Sequence, residues 1–222
     1  MENKMDNQTV TMAHGAGGKQ TSELIDKVFA AHFANPDLTA DDAAVLTPPV
    51  GKMAVSTDGF IVSPAFFPGG NIGKLSICGT VNDLACMGAK PLYLTCAFVI
   101  EEGFPMEKLE EIAAAMEKTA KEAGVRIVSG DTKVAGKGQV DGVFITTTGI
   151  GEIQEGVETS GFMAKPGDAV LAPADGVISK IAANEEIGTY LCVTLGDEYQ
   201  AIIGNMDNVS VAEGDYVLKG TV

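Results

Sequence analysis

The sequence predicts an α/β (α+β) fold over residues 1–165, followed by a small all-β barrel over residues 166–222. As far as about residue 171, apolar residues at helical spacing alternate with short strand-like runs. Beyond that point helical periodicity ends, and β-rich segments about eight residues apart are separated by Asp-Gly and Gly-Asp turns. Glycine contributes 27 of 222 residues and clusters between apolar segments, which indicates tight turns rather than flexible linkers.

Three helices are predicted from apolar spacing and from the residues that would cap them. Thr21 or Ser22 is a suitable N-cap for the first helix, and Asn71 for the second. Gly88 and Gly124 are suitable stops for the second and third helices. The predicted ranges are 22–33, 71–88 and 107–123.

Strands are predicted where short apolar or alternating runs are bounded by turn residues. In the first domain these are residues 53–57, 92–100, 126–129 and 139–150. In the second domain they are residues 177–181, 190–195, 199–203 and 216–222. The second domain is too short to bury more than a thin core, so we expect it to lean on the first domain or on another chain.

Charge and composition exclude several classes of function. The chain has 15 Lys+Arg against 30 Asp+Glu, a net charge of −15, so nucleic acid and anionic membranes are poor partners. A nucleotide would need a metal cation to screen the carboxylates. No run is long enough to cross a bilayer, and the N-terminus has no signal-peptide core. The four cysteines lack metal-type spacing, so we expect reduced thiols and a cytoplasmic location.

Several aspartates lie beside small residues at the ends of predicted elements. They are the Asp41-Asp42 pair, Asp58 in STDG, Asp83 in VND and Asp131 in SGDT. Mg²⁺ takes oxygen ligands, usually one or two carboxylates together with phosphate oxygens and water. Carboxylates that converge from these loops would therefore suit Mg²⁺-nucleotide binding. The alternative interpretation is that these aspartates only form turns and helix caps.

Two further features are candidates for phosphate contacts. The stretch from His14 through Gly15, Gly17 and Gly18 leads into the start of a predicted helix, where backbone N–H groups can bind phosphate. The alternative interpretation is that these residues only form a turn. Lys133 lies two residues after an aspartate, so the two side chains would share a face in a strand or form an ion pair in a turn. Lys133 is a candidate for charge balance or for a base, and a surface lysine is the alternative.

Longer strings, in this order, resemble the N-terminal half of the hydrogenase maturation protein HypE. They are VTMAHGAGGKQTSELI, DDAAVL, STDGFIVSPAFFPGGNIGKLSICGTVNDLACMGAKPLYL, EEGFPMEKLEEI, IVSGDTKV and FITTTGIGEI. The resemblance covers about residues 9–171. It implies the fold of aminoimidazole ribonucleotide synthetase (a PurM-like ATP-binding domain), which selenophosphate synthetase and thiamine-monophosphate kinase share.

The resemblance also implies an activity, cofactors and partners. HypE-type proteins use Mg²⁺ and ATP to dehydrate a carbamoyl group on their own C-terminal cysteine to a thiocyanate, the cyanide source for the [NiFe]-hydrogenase iron. This half dimerises in the family, with ATP near the interface, and the partners transfer carbamoyl groups or assemble the iron centre. By matching position, the implied site has nucleotide contacts at the His14 stretch and Asn82, Mg²⁺-ATP carboxylates at Asp42, Asp58, Asp83 and Asp131, and a catalytic Lys133.

The segment after KPGDAVL resembles instead the β-barrel of lysostaphin-type metallopeptidases. The family binds zinc through His and Asp, but this sequence has no histidine after His32, so we expect a degenerate, non-catalytic barrel. The chain therefore resembles a chimera, natural or constructed, in which the family's second half and cysteine tail are missing. We expect impaired or absent turnover. The alternatives are a non-catalytic dimeric scaffold and a kinase or synthetase of the same superfamily.

Overall fold

A computed structural model describes residues 9–39, 41, 43–160, 163, 165, 167–196 and 199–220. The chain divides into two compact units, Met1–Ser160 and Gly161–Val222. In the described part of the chain, no helix is both long enough and apolar enough to cross a membrane.

The helices of the first unit form where apolar spacing and capping residues predict them. Asn71 caps the second predicted helix by accepting a hydrogen bond from the Lys74 backbone N–H (3.1 Å). Gly124 ends the third in the left-handed conformation (φ 68°). The first predicted helix contains a π-helical middle, Ile25–Ala30, which apolar spacing alone does not distinguish from an α-helix. The helices are α1 (Lys19–Leu24), the π-helical segment, α2 (Ala31–Phe33), α3 (Ile72–Cys86) and α4 (Met106–Ala123).

Six strands lie in the described part of the first unit, and four of them form its main sheet. The strands are β1 (Met53–Phe60), β2 (Phe66–Phe67), β3 (Gly70–Asn71), β4 (Ala89–Glu101), β5 (Arg126–Ala135) and β6 (Val143–Ile153). The main sheet has the order β1-β6-β4-β5, so β1 and β5 are its edges. β6 is antiparallel to both β1 and β4, whereas β5 is parallel to β4.

All four predicted strands of the first unit differ from the observed ones at their ends, and β2 and β3 were not predicted. β1 continues to Phe60, so Asp58 lies inside it, and β4 begins at Ala89. The largest differences concern β5 and β6. β5 continues to Ala135, so Asp131 and Lys133 lie inside a strand rather than after one. β6 begins at Val143, because the residues from Gly136 to Gly142 form turns and bends between the two strands. Both misplaced boundaries lie in a polar, glycine-rich stretch, where alternation gives little signal.

The core of the first unit lies on one face of the main sheet. It joins apolar side chains of α3, α4 and the N-terminal helix to residues such as Leu94, Phe98 and Ile145. Residues that alternate with these, including Tyr93, Ala97 and Phe144, point to the opposite face. We call this opposite surface the outer face. Val55 of β1 lies on it and is 57% exposed.

The second unit is built on one antiparallel sheet with the order β10-β7-β8-β9. Its strands are β7 (Gly176–Asn184), β8 (Gly188–Leu195), β9 (Tyr199–Ile203) and β10 (Tyr216–Val217). A small core of Ile178, Leu191, Val193 and Val217 lies on one face. The four strands occur where the sequence predicts them. In the described residues they form a half-barrel sheet. β10 is shorter than the predicted strand over residues 216–222.

Candidate functional site

Asp58 and Asp83 lie together where β1 passes α3, a contact that we call the β1–α3 seam. A Cβ atom built on Gly79 would lie 3.8 Å from Asp58 Oδ2 and 2.6 Å from the Phe60 ring. One helical turn later, Asp83 Oδ2 accepts a hydrogen bond from the Ser56 hydroxyl (2.8 Å). Asp58 therefore lies against Gly79 and Asp83 against Ser56, and these two positions of α3 are about one helical turn, ~5.4 Å along the axis, apart. Residues 25 positions apart in sequence thus line one short seam.

Buried hydroxyl groups fix the position of α3 behind this seam. Thr147 of β6 is the cross-strand neighbour of Asp58 and is fully buried. Its hydroxyl lies 2.6 Å from that of Thr80 and donates to the Ser76 carbonyl (3.0 Å), so both contacts join β6 to α3. Buried polar groups with satisfied hydrogen bonds favour a single packing arrangement. These contacts fix the distance between α3 and the sheet next to β1.

Asp131 and Lys133 form an ion pair at the opposite edge of the sheet, on β5. Lys133 Nζ lies 2.8 Å from Asp131 Oδ1, and the side chains are 65% and 58% exposed. The hydrogen bond from Lys133, followed by one from the Thr132 backbone N–H, holds the pKa of Asp131 below its ordinary value. Both side chains lie on the outer face, because Asp131 is paired with Ala97 and Lys133 with Val99.

The glycine-rich turn packs against the C-terminal half of β5. A Cβ on Gly15 would lie 2.6 Å from the Val134 backbone nitrogen, so the turn approaches β5 more closely than a side chain would permit. Gly17 adopts a positive φ of 78°, and Gly18 is the N-cap residue of α1. Open space surrounds both of these glycines. The sequence stretch chosen for phosphate contacts therefore adjoins the Asp131–Lys133 pair.

A cavity of about 1010 Å³ lies between this turn, the N-terminal helix and β5. Phe29, Phe33 and Phe98 line its apolar part, and Gly15 and Gly17 line its polar part together with the Asp131–Lys133 pair. This volume lies at the upper end of the range for small-molecule sites. An apolar interior with a polar rim suits a ligand that has a flat ring and a charged end.

His14 contacts its own turn instead of this cavity. Its Nδ1 accepts a hydrogen bond from the Thr11 backbone N–H (3.0 Å) and lies 2.9 Å from the Thr11 hydroxyl. Because a backbone N–H can only donate, Nδ1 is the acceptor, and the neutral ring carries its proton on Nε2. Gly15 and Gly17 line the cavity, whereas His14 is not among the described lining residues.

The predicted carboxylates thus occupy two places rather than one. One row of paired residues crosses the sheet from β1 to β5: Asp58, Thr147, Cys96 and Gly130. Asp131 is the next residue after Gly130 on β5. Three strand spacings, ~14 Å, separate the seam from the β5 edge, and Asp131 points to the opposite face. No group of three or more His, Cys, Asp or Glu side chains in the described ranges is placed to hold a metal ion. The sequence expectation of one shared cluster is therefore not met within a single copy.

Asn82 is exposed on α3 next to Asp83, about 100° around the helix axis, so it faces a different direction. Asp42 lies outside the described residues.

Ser56 and Thr147 contribute to the seam but were not predicted from the sequence. Ser56 precedes Asp58 by two residues, and strand alternation alone places their side chains on one face. That signal was available in the string STDG. Thr147 had no such signal, because its contact with α3 joins residues that are 67 positions apart.

Named proteins are similar to the first unit in sequence and in structure. The protein "Carbamoyl dehydratase HypE" of Rhizobium leguminosarum bv. viciae is 49% identical over 166 residues, which are 74% of this chain and 47% of the relative. The crystal structure of "Hydrogenase Maturation Protein HypE in complex with ATP" is 50% identical with a TM-score of 0.73, and the match covers 76% of this chain and 50% of that one. The crystal structure of a "HypE-HypF complex" is 55% identical with a TM-score of 0.55, over 69% of this chain and 50% of that one.

These matches confirm the resemblance to the N-terminal half of HypE that the sequence motifs predicted. The chain spans about half the length of the curated relatives that it matches. Residues 154–222 match the model described as "Peptidase family M23", in agreement with the predicted lysostaphin-type resemblance. Residues 40–153, just over half of the chain, contain both the β1–α3 seam and β5. They match the model described as "AIR synthase related protein, N-terminal domain", and the chain therefore belongs to that family.

Proposed function

We propose that the first unit binds Mg²⁺-ATP as the nucleotide-binding part of a HypE-like carbamoyl dehydratase in [NiFe]-hydrogenase maturation. The observation that carries the proposal is the approach of Asp58 to Asp83 at the β1–α3 seam. Neither carboxylate has an ion pair in the described part of the chain, so both charges are available to a cation. The relative with a TM-score of 0.73 is named as a complex with ATP.

The donor set at the seam fits magnesium. Mg²⁺ is bound through one or two carboxylates, with phosphate oxygens and water completing its octahedron, so a third protein carboxylate is not required. Bound there, the ion would offset the charge of the triphosphate in a chain whose net charge is −15. Asp58 and Asp83 would hold it, and the buried Thr80–Thr147 contact would keep the two carboxylates at a fixed separation.

The proposed reaction removes water from a thiocarboxamide. Its oxygen attacks the γ-phosphorus of ATP, ADP departs, and the nitrogen gives up the first of its two protons; phosphate then leaves as the nitrogen loses the second proton, which gives a thiocyanate. Lys133 donates to Asp131, so this ammonium is suited to stabilising negative charge on the transferred phosphate. Impaired or absent turnover remains a prediction, and release of inorganic phosphate measures it.

We also propose that a second copy completes the site. Within one copy the seam and the Asp131–Lys133 pair lie at opposite edges of the sheet, so one nucleotide would not contact both. The outer face presents Val55, Ala97 and Phe144 beside hydroxyl-bearing residues, a surface suited to self-association. Pairing of two such faces would bring the β5 edge of one copy towards the seam of the other.

Calorimetric titration with ATP tests the binding proposal. At millimolar nucleotide we expect Mg²⁺-dependent heat from the wild-type chain and little from Asp83→Asn. Absence of heat from the wild-type chain at saturating Mg²⁺ would reject ATP binding. The alternative scaffold function would be favoured if the chain binds no ATP and forms a dimer that is the same with and without nucleotide. Asp83→Asn would then leave this dimer unchanged.

Mixed dimers test the composite site. Asp83→Asn and Lys133→Ala each damage one of the two places, so mixing the variants would restore one intact site per dimer if both copies contribute. After random subunit exchange half of the dimers are mixed and each holds one intact site, so we expect the mixture to recover about a quarter of any phosphate release that the wild-type chain shows. If each copy works alone, the mixture shows only the sum of the two variants.

Further proposals concern partners and the second domain. One of the solved relatives is a complex of HypE with HypF. This complex supports the proposal that carbamoyl-transferring maturation proteins bind this chain. Iron-assembly proteins are proposed as partners at a later step. We propose a boundary near residue 165 between the nucleotide-binding domain and a zinc-free barrel that acts as a binding module. Co-purification of the chain with HypF, compared with residues 1–165 alone, tests whether the barrel contributes.

A further inference from the structure

The hydrogen bond from Ser56 to Asp83 joins two elements of the proposed metal site. Ser56 is half-buried on β1, and its hydroxyl lies 2.8 Å from Asp83 Oδ2 on α3. Strand alternation places Ser56 on the same face as Asp58, about 6.7 Å away along the strand. Ser56 thus bonds to one of the two carboxylates and shares a strand face with the other.

The surrounding packing leaves little freedom for this contact. α3 passes β1 in the opposite direction, because Gly79 lies against Phe60 and Asp58 while Asp83, one turn later, lies against Ser56. The Phe60 ring occupies the space that a side chain at Gly79 would need. Asp83 is otherwise an exposed side chain on a helix surface, with rotamers that point away from the seam.

We propose that Ser56 is a positioning residue, whose hydroxyl holds the Asp83 carboxylate in the seam that it shares with Asp58 and so sets the affinity of the seam for Mg²⁺. The hydroxyl is a neutral donor, so it fixes the carboxylate without cancelling its charge. It occupies Oδ2 only, and Oδ1 has no hydrogen bond among the described residues. The carboxylate therefore keeps one oxygen for a cation. This inference rests on the proposed binding of Mg²⁺-ATP at the seam.

The experiment measures the Mg²⁺ concentration needed for half-maximal ATP binding, at a fixed ATP concentration, by calorimetry or by a fluorescent ATP analogue. The variants are Ser56→Ala, Ser56→Thr and, as a matched control, Ser179→Ala. Ser179 is on β7 of the second unit, where its hydroxyl donates to the Cys192 carbonyl (3.2 Å) and accepts from Gln200 Nε2 (2.9 Å), so its loss removes serine hydrogen bonds of a different sheet.

We expect Ser56→Ala to raise the Mg²⁺ midpoint by about 3- to 10-fold, because a hydrogen bond to a charged acceptor is lost. Affinity for ATP at saturating Mg²⁺ changes less than about 2-fold, since excess metal restores the occupied site. Ser56→Thr keeps the hydroxyl and restores the midpoint, and Ser179→Ala leaves it unchanged. If Ser56→Ala does not fold, Ser56→Cys, with a weak donor of similar size, replaces it.

The outcomes separate this inference from the function on which it rests. Wild-type binding with an unchanged midpoint in Ser56→Ala overturns the positioning role alone. An equal shift in Ser179→Ala also overturns it, because the effect would then reflect general destabilisation. Failure of the wild-type chain to bind ATP at any Mg²⁺ concentration overturns the proposed function and the inference together.

Discussion

The two edges of the first sheet hold aspartates with different partners. At the β1–α3 seam, Asp83 accepts a hydrogen bond from the neutral Ser56 hydroxyl and lies near Asp58, so the seam keeps two negative charges. On β5, Asp131 is bound by the Lys133 ammonium, and this pair carries no net charge. Two like charges attract a metal cation, whereas an ion pair offers an ammonium to phosphate. The partner of each aspartate, rather than its residue type, therefore decides its chemistry.

Removal of the lysine tests the β5 side and has the largest expected effect. Lys133→Ala should abolish any phosphate release while ATP affinity changes less than about 2-fold, because the ammonium acts on the transferred phosphate. The same change should raise the pKa of Asp131, since its main stabilising contact is lost. Carboxyl NMR titration measures this shift even where turnover is absent. Equal loss of binding and of phosphate release would restrict Lys133 to charge balance.

Neutralising the seam tests the other side. Asp83→Asn should weaken Mg²⁺-dependent ATP binding by about 100-fold, equivalent to ~2.7 kcal/mol, because one of two metal-binding charges is removed. Asp141→Asn is the matched control: it changes the net charge equally on an exposed residue in the connection before β6, outside the β1–α3 seam. A similar loss in both variants would indicate a long-range charge effect instead of a site at the seam.

The glycine-rich turn connects the β5 edge to the stability of the first unit. Gly15→Ala should destabilise this unit by about 1–3 kcal/mol, because the new methyl group would meet the Val134 backbone at 2.6 Å. Gly18→Ala should be close to neutral, since that position is open and has a negative φ of −98°. Thermal unfolding followed by circular dichroism compares them. Similar melting temperatures for the two variants would contradict the close approach to β5.

An ion-paired carboxylate on α4, Glu117, gives the smallest expected effect. Lys121 and then His32 hold the pKa of Glu117 below its ordinary value, and His32 Nδ1 lies 2.7 Å from Glu117 Oε2. A lowered pKa stabilises the fold at neutral pH, and this contribution is lost as pH falls through the carboxyl range, about pH 4, and below. Glu117→Gln should therefore cost about 0.5–1 kcal/mol at pH 7 and nothing at pH 2. Denaturant unfolding at both pH values measures it, and a cost independent of pH would point to lost packing.

Local signals predicted the regular elements of the first unit well. The Asn71 cap, the Gly124 stop and the apolar spacing between them located α3 and α4 to within about two residues. Boundaries were less accurate near residues 130–143, where polar and glycine residues hide the strand alternation. The π-helical turn at Ile25–Ala30 was missed, because one extra residue per turn changes the apolar spacing too little to recognise.

The candidate site was predictable in its residue types but not in its arrangement. Aspartate beside glycine, asparagine or threonine marked Asp58, Asp83 and Asp131 as candidates, and the motif strings identified the family. Nothing local indicated that Asp83 would contact Ser56, because a helix and a strand must pack before those side chains meet. Nor did spacing indicate that Asp131 would point to the other face of the sheet, since its register against β4 decides this.

By itself, the sequence determined the charge of −15, the family and the positions of most helices and strands, because these follow from composition, motif and periodicity along the chain. Only the tertiary structure decided which carboxylates are neighbours. Sheet order places β1 and β5 at opposite edges, and strand alternation turns Asp131 away from the face that bears Asp58. The physical reason is that periodicity is a property of one segment, whereas a binding site depends on distances between segments that only packing fixes.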